Sequence, residues 1–349
     1  MASRRNKIFV VGYFGYRTNQ LDGQTIKSRN IYRMIQSKLG DTHQIRQYDT
    51  QESRFRKMSF FGFLKNTLTC GTFVIIPCRN NLTYVFPFIY LLSLVFRFRI
   101  LHVAVGSGQT EYFRKHPVIR WMNKRIKAIF PQVSIVDKEL KEEFGFRNSH
   151  LLNNFRINDY VPALTGASGD TLRIVFMSRI QKKKGLDVVF ALAEHIRQTY
   201  PPGTAVIDFY GGVEPDDAEY FQAEVARYDF VEYRGKLEPE HIYTTLNGYD
   251  LLILPTYYNE GFPGAILDAY ISGIPVLVSR WQHTEEFVED GVTGYICPMG
   301  DKECFFHKVD LLIGDKTKLP VLKKAAWERS KHYGMEYAWS VFRRQMDLE

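Results

Sequence analysis

The sequence has little that is typical of disulfide-rich or zinc-binding proteins. Its 349 residues include four cysteines, Cys70, Cys78, Cys297 and Cys304, and none of them forms a C-x-x-C pair or stands near histidines with zinc spacing. We therefore expect reduced thiols in a cytosolic protein. The N-terminal residues lead directly into a strand-like run and do not resemble a signal peptide.

Long hydrophobic runs are also missing. The most apolar stretch, 82–96, has about 15 residues and contains Pro87, whereas a helix that spans a bilayer needs about 20. We interpret it as a buried core helix, with shallow contact to a membrane surface as the alternative. The first predicted strand is followed by Gly-Tyr-Phe-Gly-Tyr at 12–16 rather than G-x-G-x-x-G. A dinucleotide-dependent oxidoreductase is therefore disfavoured.

Acidic residues are scarce in the first half of the chain. Residues 1–160 hold 26 Lys+Arg against 10 Asp+Glu, a net charge of +16, whereas 161–349 hold 20 against 28. This asymmetry indicates that the first half faces a membrane surface, a phosphorylated acceptor or a nucleic acid, with a solvated basic surface as the alternative. No known nucleic-acid-binding module matches, and we favour an anionic membrane. Six cations are concentrated around Trp121: Arg114, Lys115, Arg120, Lys124, Arg125 and Lys127.

Short apolar runs alternate with helical patterns, which predicts parallel β-sheets covered by helices on both faces. In the first half we expect strands at 7–12, 72–77, 99–105 and 133–136, and helices at 23–39, 82–96, 117–130 and 138–144. In the second half we expect strands at 172–177, 205–210, 231–233, 250–254 and 275–279, and helices at 185–200 and 264–272.

The segment 159–170 is rich in proline, glycine and serine and interrupts this alternation, so we place a linker there. The predicted α/β domains are 1–158 and 171–335, and the last residues, 336–349, are expected to form a helix that packs back on the first domain. Two successive α/β domains predict a cleft, with ligands bound beyond the carboxyl ends of the strands.

Two loops of the second domain carry residues suited to an anionic ligand. The loop 178–185, SRIQKKKG, follows a strand and opens a helix, where backbone N–H groups and the helix dipole favour anions. Arg179 and Lys184 would suit a diphosphate, although a solvated lysine-rich loop is the alternative. The loop 257–264, YYNEGFPG, carries Glu260, and Asp268 follows two turns into the next helix. Asp268 could instead be an ordinary helix residue that faces solvent. Glu260 could instead be a charge that complements the helix dipole.

The stretch 259–298, NEGFPGAILDAYISGIPVLVSRWQHTEEFVEDGVTGYICP, resembles the signature of glycosyltransferase family 4, as in bacterial capsular and exopolysaccharide glycosyltransferases. The loop 178–185 and the segments 150–155 and 337–342 also fit that family, as does Gly235-Lys236-Leu237. The resemblance covers nearly the whole chain and is strongest over 172–298. It implies an α/β GT-B fold, in which the parallel sheets of two Rossmann-like domains face each other across a cleft.

The resemblance also implies roles for individual residues. Arg179 and Lys184 would neutralise the departing diphosphate, and Glu260 would contact the donor sugar or steady its transition state. Asp268, which stands where the family has Glu, would hold the ribose. The remaining donor-binding residues implied in this way are Gly23, Gly211, Gly212, Lys236, Leu237, Gly261, Phe262, Pro263 and Gly264.

The first domain departs from the family pattern in two loops. Its first loop reads Asp22-Gly23-Gln24-Thr25, with one glycine where many relatives have two. Where many relatives carry a histidine, this chain has Gly106 and Ser107, which we assign to the acceptor side. His102 is a further acceptor-side candidate, with a packed core histidine as the alternative. No general base is assigned.

These observations predict a retaining glycosyltransferase that uses a nucleotide-sugar donor, with UDP as the default nucleotide. We expect no metal and no cofactor, since no Asp-x-Asp motif stands at a strand end. The expected acceptor is a glycan or a polyprenyl-diphosphate-linked sugar in surface polysaccharide synthesis. The expected location is cytoplasmic, peripheral at the inner face of the membrane. The alternatives are a basic α/β protein that binds nucleic acid or membrane without catalysis, and the disfavoured oxidoreductase.

Overall fold

The computed structural model describes residues 4–18, 22–51, 60–164 and 169–346. The chain divides into two compact units, of which the first comprises Met1–Ile157 with Tyr333–Glu349 and the second Asn158–His332. Four residues of the predicted linker, 165–168, lie outside the described ranges.

The first unit is a five-stranded parallel sheet in the order β2-β1-β3-β4-β5, with helices in the connections. Its central strands are continuous apolar runs buried on both faces, as expected for a sheet covered on both sides. Its elements are β1 Lys7–Gly12, α1 Gly23–Leu39, β2 Gln44–Asp49, α2 Phe60–Thr69, β3 Thr72–Ile76, α3 Phe86–Phe96, β4 Arg99–Val103, α4 Gln109–Lys115, α5 Pro117–Asn123, β5 Ala128–Phe130 and α6 Ser134–Glu142.

The second unit is a six-stranded parallel sheet in the order β11-β10-β9-β6-β7-β8. The strand order reverses between β6 and β9, which are neighbours in the sheet. Its elements are β6 Leu172–Met177, α7 Leu186–Thr199, β7 Ala205–Tyr210, α8 Ala218–Val225, β8 Val231–Tyr233, α9 Ile242–Leu246, β9 Leu251–Leu254, α10 Gly264–Ile271, β10 Val276–Ser279, α11 Thr284–Phe287, β11 Gly294–Cys297, α12 Lys302–Gly314 and α13 Lys318–Ser330.

The last helix, α14 Met335–Arg343, belongs to the first unit. Its Phe342 is fully buried and stacks on Phe130 of β5, with ring centroids 5.0 Å apart. On the surface, Glu336 pairs with Lys38 of α1 at 2.6 Å. The helix therefore completes the core of a sheet whose strands lie more than 200 positions earlier in the sequence.

The region after α5 differs from the prediction. The expected helix 117–130 ends at Asn123, and the fifth strand is Ala128–Phe130, which pairs with β4, rather than 133–136. The segment 134–142 is the helix α6, whose buried side chains Val136 and Leu140 are four positions apart. Apolar residues at that spacing follow the period of a helix, which a four-residue window cannot separate from a strand.

The apolar segment 82–96 is helical, but it is not a fully buried core helix. It consists of a π-helical turn, Asn81–Val85, followed by α3. Leu82, Phe86 and Ile89 are buried, whereas a second row of apolar side chains is exposed. None of the helices within the described ranges combines the length and the apolar composition that a membrane crossing requires.

The prediction of four reduced thiols is wrong for one pair. A disulfide joins Cys297, at the end of β11, to Cys304 in the first turn of α12. A tight connection between strand and helix brings these two side chains together, and their separation in sequence does not reveal it. Cys70 and Cys78 are free, and burial raises the pKa of the Cys70 thiol to about 12.

Candidate functional site

The predicted anion-binding loops of the second unit meet at the point where its strand order reverses. The loop 178–185 follows β6 and the loop 255–263 follows β9, and β6 and β9 are paired, with Ile174 opposite Leu251. Because both strands run in the same direction, both loops leave the same edge of the sheet. Ligands of open α/β sheets bind at this reversal, outside the carboxyl ends of the strands.

The two loops are in direct contact. The Tyr257 backbone N–H donates to the Lys183 carbonyl oxygen at 3.0 Å. Gly185 has a φ of +79°, and a Cβ atom at this position would lie 2.0 Å from the carbonyl oxygen of Pro255. Only glycine permits this approach, so Gly185 fixes the position of the lysine that precedes it.

Lys184 and Glu260 form an ion pair across the two loops. The Lys184 ammonium contacts Glu260 Oε1, and the two side chains are 10% and 12% exposed. Thr256 Oγ1 donates a hydrogen bond to the same carboxylate oxygen at 3.1 Å. On the other side, the Lys184 ammonium lies 4.7 Å from the ring centroid of Tyr258. The charge pair is therefore held in one place by a hydroxyl and an aromatic face.

Arg179 opens the same loop but makes a different ion pair. Its guanidinium lies 3.5 Å from Glu214 Oε1, and its side chain is mostly exposed. A long pair between exposed groups contributes little and is easily exchanged. The structure thus brings two of the three predicted catalytic side chains, Lys184 and Glu260, into contact and places Arg179 in the same loop with another acidic partner.

The loop after β7 lies directly beside that of Arg179. The Ile180 N–H donates to the Gly212 carbonyl at 2.9 Å. Gly211 has a φ of +145°, and a Cβ atom there would lie 1.7 Å from the Ser178 carbonyl oxygen. Gly211 is therefore needed for the close approach of the two backbones.

The loop after β8 extends the same edge. The Gly211 N–H donates to the Gly235 carbonyl at 2.9 Å. Lys236 is exposed, Leu237 is half-buried, and a Cβ atom at Gly212 would lie 2.9 Å from Lys236 Cε. The predicted donor residues of these two loops are thus neighbours of the loop that carries Arg179.

The start of α10 supplies the rest of the predicted donor set. Pro263 caps the helix and Gly264 begins it, while Gly261 is half-buried in the preceding loop. The Phe262 ring is buried and stacks on Phe287, with centroids 4.0 Å apart, so it anchors the loop through the core. Asp268 is 5% exposed. The solvent-facing alternative for this carboxylate is therefore excluded.

Sequence reasoning missed the side chains that surround the ion pair. Thr256 and Tyr258 contact Glu260 and Lys184. Tyr257 donates to Asp187 Oδ2 at 2.8 Å, and burial together with this hydrogen bond raises the pKa of Tyr257 to about 12. The only available signal was their position beside Glu260 in the run TYYNE.

The acceptor-side candidates belong to the first unit, where His102 proves to be a core residue. His102 is 1% exposed, and its Nδ1 lies 2.7 Å from Asn123 Oδ1. Burial lowers the pKa of His102 to about 4, although the hydrogen bond to Asn123 opposes this shift. A neutral, enclosed imidazole cannot contact a ligand at the surface. His102 is therefore a packed core histidine and not an acceptor-side residue.

The other candidates of the first unit lie in loops that leave the carboxyl edge of its sheet. Gly106 has a φ of +79°, and its N–H donates to Gln132 Oε1 at 3.0 Å, while Ser107 beside it is half-buried. Gly23 is exposed at the start of α1, where the Asp22 carboxylate caps the helix by accepting from two backbone N–H groups. These positions leave Gly23, Gly106 and Ser107 accessible.

An apolar cavity of about 430 Å³ lies at the same edge, where the strand order of the first unit reverses between β1 and β3. Its walls are aliphatic and aromatic, with few polar groups. They include Val11, Tyr48, Phe63, Ile76, Tyr84 and Phe88. Such a lining suits an apolar ligand group.

The second unit is similar in sequence to known glycosyltransferases. Residues 171–315 match the family described as glycosyl transferases group 1. The chain is 29% identical over 182 residues to the amylovoran biosynthesis glycosyltransferase AmsK of Erwinia amylovora, and 26% identical over 185 residues to the putative colanic acid biosynthesis glycosyltransferase WcaL of Escherichia coli K12. Each alignment covers 50% of this chain and 44% of the relative, so the chain spans less than half of those proteins.

Solved structures match the fold over almost the whole chain. Anabaena HepE in complex with UDP-glucose is 14% identical, with a TM-score of 0.74 over 98% of this chain and 100% of that one. Sucrose-phosphate synthase of Thermosynechococcus elongatus is 13% identical, with a TM-score of 0.71 over 97% and 98%. These structures confirm the GT-B fold class, and the family match over residues 171–315 bears out the glycosyltransferase resemblance. The assignment to family 4 stays a prediction.

Proposed function

We propose that the protein is a retaining, metal-independent glycosyltransferase. It transfers a sugar from a UDP-sugar to a glycan or lipid-linked acceptor during synthesis of a surface polysaccharide. The observation that carries this proposal is the Lys184–Glu260 ion pair at the β6–β9 reversal, in a segment that matches the glycosyl transferases group 1 family. The names of AmsK and WcaL, and the UDP-glucose bound to HepE, support the polysaccharide pathway and the nucleotide.

The charges at this edge suit a donor diphosphate. Lys184 is already enclosed beside Glu260, and Arg179 lies in the same loop with a weak, exposed partner that a diphosphate can replace. Positive groups fixed in an enclosed site stabilise a developing negative charge more strongly than they would in water. Arg179 and Lys184 thus hold the leaving group, and Glu260 lies beside the donor sugar.

The remaining donor contacts are proposed from the family resemblance, and the neighbouring loops of the second unit support them. Asp268 holds the ribose hydroxyls, and the loops that carry Gly211, Gly212, Lys236 and Leu237 hold the base. The backbone N–H groups at 261–264 bind the phosphates and the sugar at the start of α10. In the first unit, Gly106 and Ser107 are proposed for the acceptor side, and the donor role of Gly23 stays a prediction from the family resemblance.

The proposed chemical step retains the anomeric configuration. The acceptor hydroxyl oxygen bonds to the anomeric carbon on the face from which the diphosphate departs, and the anomeric C–O bond to the phosphate breaks. The hydroxyl proton passes to the departing phosphate oxygen, so no protein base is required. Arg179 and Lys184 balance the charge of the diphosphate, which makes a metal ion unnecessary.

The acceptor is proposed to be lipid-linked, and the protein to be peripheral at the cytoplasmic face of a membrane. Two features of the first unit support this: its strongly basic sequence and the apolar cavity at the β1–β3 reversal. The cavity has room for an apolar segment of an acceptor. Basic residues near a membrane surface each contribute about 1 kcal/mol of attraction to anionic lipids.

A thermal-shift screen tests the donor. UDP-glucose, GDP-glucose, ADP-glucose and NAD⁺ are each added to the full chain, and UDP-glucose is expected to raise the melting temperature because it binds only the folded state. At 100 times its dissociation constant, a ligand adds about 2.7 kcal/mol of stability. Stabilisation by NAD⁺ alone would favour an oxidoreductase instead.

Turnover experiments test the mechanism. Release of UDP should continue in the presence of a chelator if no metal is required. The anomeric configuration of the product, measured by NMR, should equal that of the donor if the reaction retains it. Loss of activity on chelation that Mg²⁺ restores would contradict metal independence. An inverted product would contradict retention.

A further inference from the structure

The helical segment 81–96 of the first unit is apolar on two opposite sides. It contains no charged residue, and one side, with Leu82, Phe86 and Ile89, packs into the core. The other side exposes Tyr84, Phe88, Leu91 and Val95, spaced by four, three and four positions. This spacing aligns the four side chains in one stripe along the helix. Val95 is 73% exposed and Tyr84 77%.

The stripe continues onto α5. The Tyr90 and Trp121 rings meet edge to face, with centroids 6.0 Å apart, and join α3 to α5. Trp121 and Val118, three positions apart on α5, are both exposed, as is Leu94 beside the stripe on α3. We call these exposed apolar side chains the α3–α5 face: Tyr84, Phe88, Leu91, Leu94, Val95, Val118 and Trp121. Contiguous exposed apolar surface of this kind marks an interaction site.

The charge beside this face is mostly positive, with Glu111 and Glu143 as nearby acidic residues. No acidic residue occurs between Glu111 and Asp137, a stretch that contains six Lys+Arg. Arg114 and Lys115 are paired with carboxylates and contribute little. The remaining cations lie on or beside α5 and at the end of α3: Arg97, Arg120, Lys124, Arg125 and Lys127.

Two of these guanidinium groups lie against aromatic rings. Arg125 lies 4.0 Å from the ring centroid of Trp121, and Arg120 lies 4.6 Å from that of Phe144. The contact with Trp121 therefore keeps the positive charge of Arg125 at the border of the apolar face. Apolar side chains bordered by tryptophan, tyrosine and cations are typical of surfaces that enter the headgroup region of a bilayer.

We propose that the α3–α5 face docks on an anionic lipid bilayer, with its apolar side chains in the headgroup region and the cations against lipid phosphates. This inference rests on the membrane association proposed above and assigns a surface to it. The excess of positive charge beside the face favours a bilayer over a protein partner, because anionic lipid headgroups attract nearby lysines and arginines. Tyr84 and Phe88 also line the apolar cavity, so docking places lipid next to that cavity.

Vesicle co-sedimentation of the full chain tests the proposal. Vesicles of phosphatidylcholine are compared with vesicles of equal parts phosphatidylcholine and phosphatidylglycerol. Binding is expected to the anionic vesicles and to weaken as salt is added, because salt screens the attraction between the cations and the lipid phosphates. No binding of the wild-type chain to anionic vesicles would overturn the proposal.

Substitutions locate the docking surface. Leu91→Gln combined with Val95→Gln should weaken binding to anionic vesicles at least about tenfold, because two apolar side chains no longer leave water. Val321→Gln is the matched control, since Val321 is 69% exposed on α13 of the other unit, and it should bind as the wild type does. Equal binding by the double variant and the wild type would overturn the proposal.

A charge substitution provides a second measurement. Arg125→Gln should weaken binding about fivefold, the effect of removing one charge near a lipid surface. Lys324→Gln, an exposed cation on α13, should have no effect. An equal loss from both variants would mean that net charge, not this face, governs binding, and would overturn the proposal.

Two controls separate this inference from its alternatives. UDP-glucose should raise the melting temperature of every variant as it does for the wild type, since the substitutions lie outside the proposed donor site. Absence of that shift in the wild type would contradict the proposed transferase function. Absence of vesicle binding alone would contradict this inference and the proposed membrane association, and would leave the transferase proposal intact. If sedimentation velocity shows a dimer that the Leu91/Val95 substitutions dissociate, and vesicles are not bound, the face joins two copies of the chain instead.

Discussion

The side chains that meet at the β6–β9 reversal have unequal surroundings. Lys184 and Glu260 are enclosed and contact each other, Thr256 donates to the carboxylate, and Arg179 extends into solvent with Glu214. An enclosed ion pair orders its own loops before any ligand arrives. A diphosphate that enters the site therefore meets an ammonium whose position is already fixed, which reduces the reorganisation required for catalysis.

Lys184→Ala is expected to reduce turnover about 10²–10³-fold, because one preorganised positive group is lost from the leaving-group site. The measurement is UDP release at saturating UDP-glucose, together with the melting temperature. Lys183→Ala, which removes an exposed neighbour in the same lysine run, should change turnover little. Unchanged turnover in Lys184→Ala with an intact fold would remove Lys184 from the mechanism.

A second lysine is buried in the first unit and predicts a pH dependence of stability. Lys27 of α1 is 3% exposed, and its ammonium donates to the Leu152 carbonyl at 3.3 Å. Burial lowers the pKa of Lys27 to about 7. Between pH 7 and the ordinary lysine range the unfolded chain binds a proton that the folded chain does not, so the free energy of unfolding rises with pH in that window.

Lys27→Met should therefore raise the free energy of unfolding at pH 7 and below by about 2–4 kcal/mol. The gain should shrink as the pH rises from 7 toward 10, because the folded wild type no longer carries a buried charge. Urea denaturation at several pH values measures the difference in free energy of unfolding between the variant and the wild type. Lys38→Met, at a half-buried position of the same helix where the ammonium pairs with Glu336, is the control. A gain that is independent of pH would contradict the assignment of the buried charge to Lys27.

At the level of secondary-structure elements, the proposed donor site depends on loops whose backbones lie in close contact. A residue with a Cβ atom at the contact points would not fit. Gly185 brings the loop after β6 against Pro255, and Gly211 brings the loop after β7 against Ser178. Both have positive φ. The four loops that follow β6, β7, β8 and β9 thus lie at one edge of the sheet. Gly185 and Gly211 permit the close contacts between them.

Gly185→Ala should lower the free energy of unfolding by about 3 kcal/mol or more, because a positive φ and a clash with the Pro255 carbonyl are combined. Gly203→Ala is the matched control, since Gly203 has a φ of +86° but nothing within 4 Å of the position of a Cβ atom. It should cost about 1–2 kcal/mol. Equal effects of the two substitutions on urea denaturation would show that contact between the loops contributes nothing.

Over the whole chain, the C-terminal helix completes the first unit. Phe342 of α14 is buried against Phe130, although the intervening sequence forms the other unit. The core of the first unit is therefore complete only once residues near position 340 have been added. Integrity of the second unit should not depend on this contact.

Phe342→Ala is expected to destabilise the first unit by about 3–5 kcal/mol, the usual cost of truncating a buried phenylalanine. Tyr337→Ala, at an exposed position of the same helix, should cost less than about 1 kcal/mol. Hydrogen exchange measured by mass spectrometry should show the loss in β1–β5 and not in β6–β11. Equal loss of protection in both sheets would contradict this division.

The sequence alone predicted five of the six strands of the second unit to within one residue, but it missed β11 and five of the helices. The predicted strands 172–177, 205–210 and 231–233 are confirmed, because buried parallel strands are continuous apolar runs between glycine-rich turns. The helix expected at 264–272 is α10, Gly264–Ile271. The glycosyltransferase resemblance rested on the same stretches, where the spacing of charged residues and glycines is set by local loop geometry.

Tertiary contacts decided what local patterns could not. The strand β2 is largely exposed and lacks an apolar run, so only its pairing with β1 defines it. The disulfide Cys297–Cys304, the enclosure of His102 and the hydrogen bond from Thr256 to Glu260 depend on positions in space. The apolar segment 82–96 shows the same limit most clearly. Its composition identifies a hydrophobic helix, but only packing decides that one side is buried and the other exposed, because burial is a property of neighbours and not of the residues themselves.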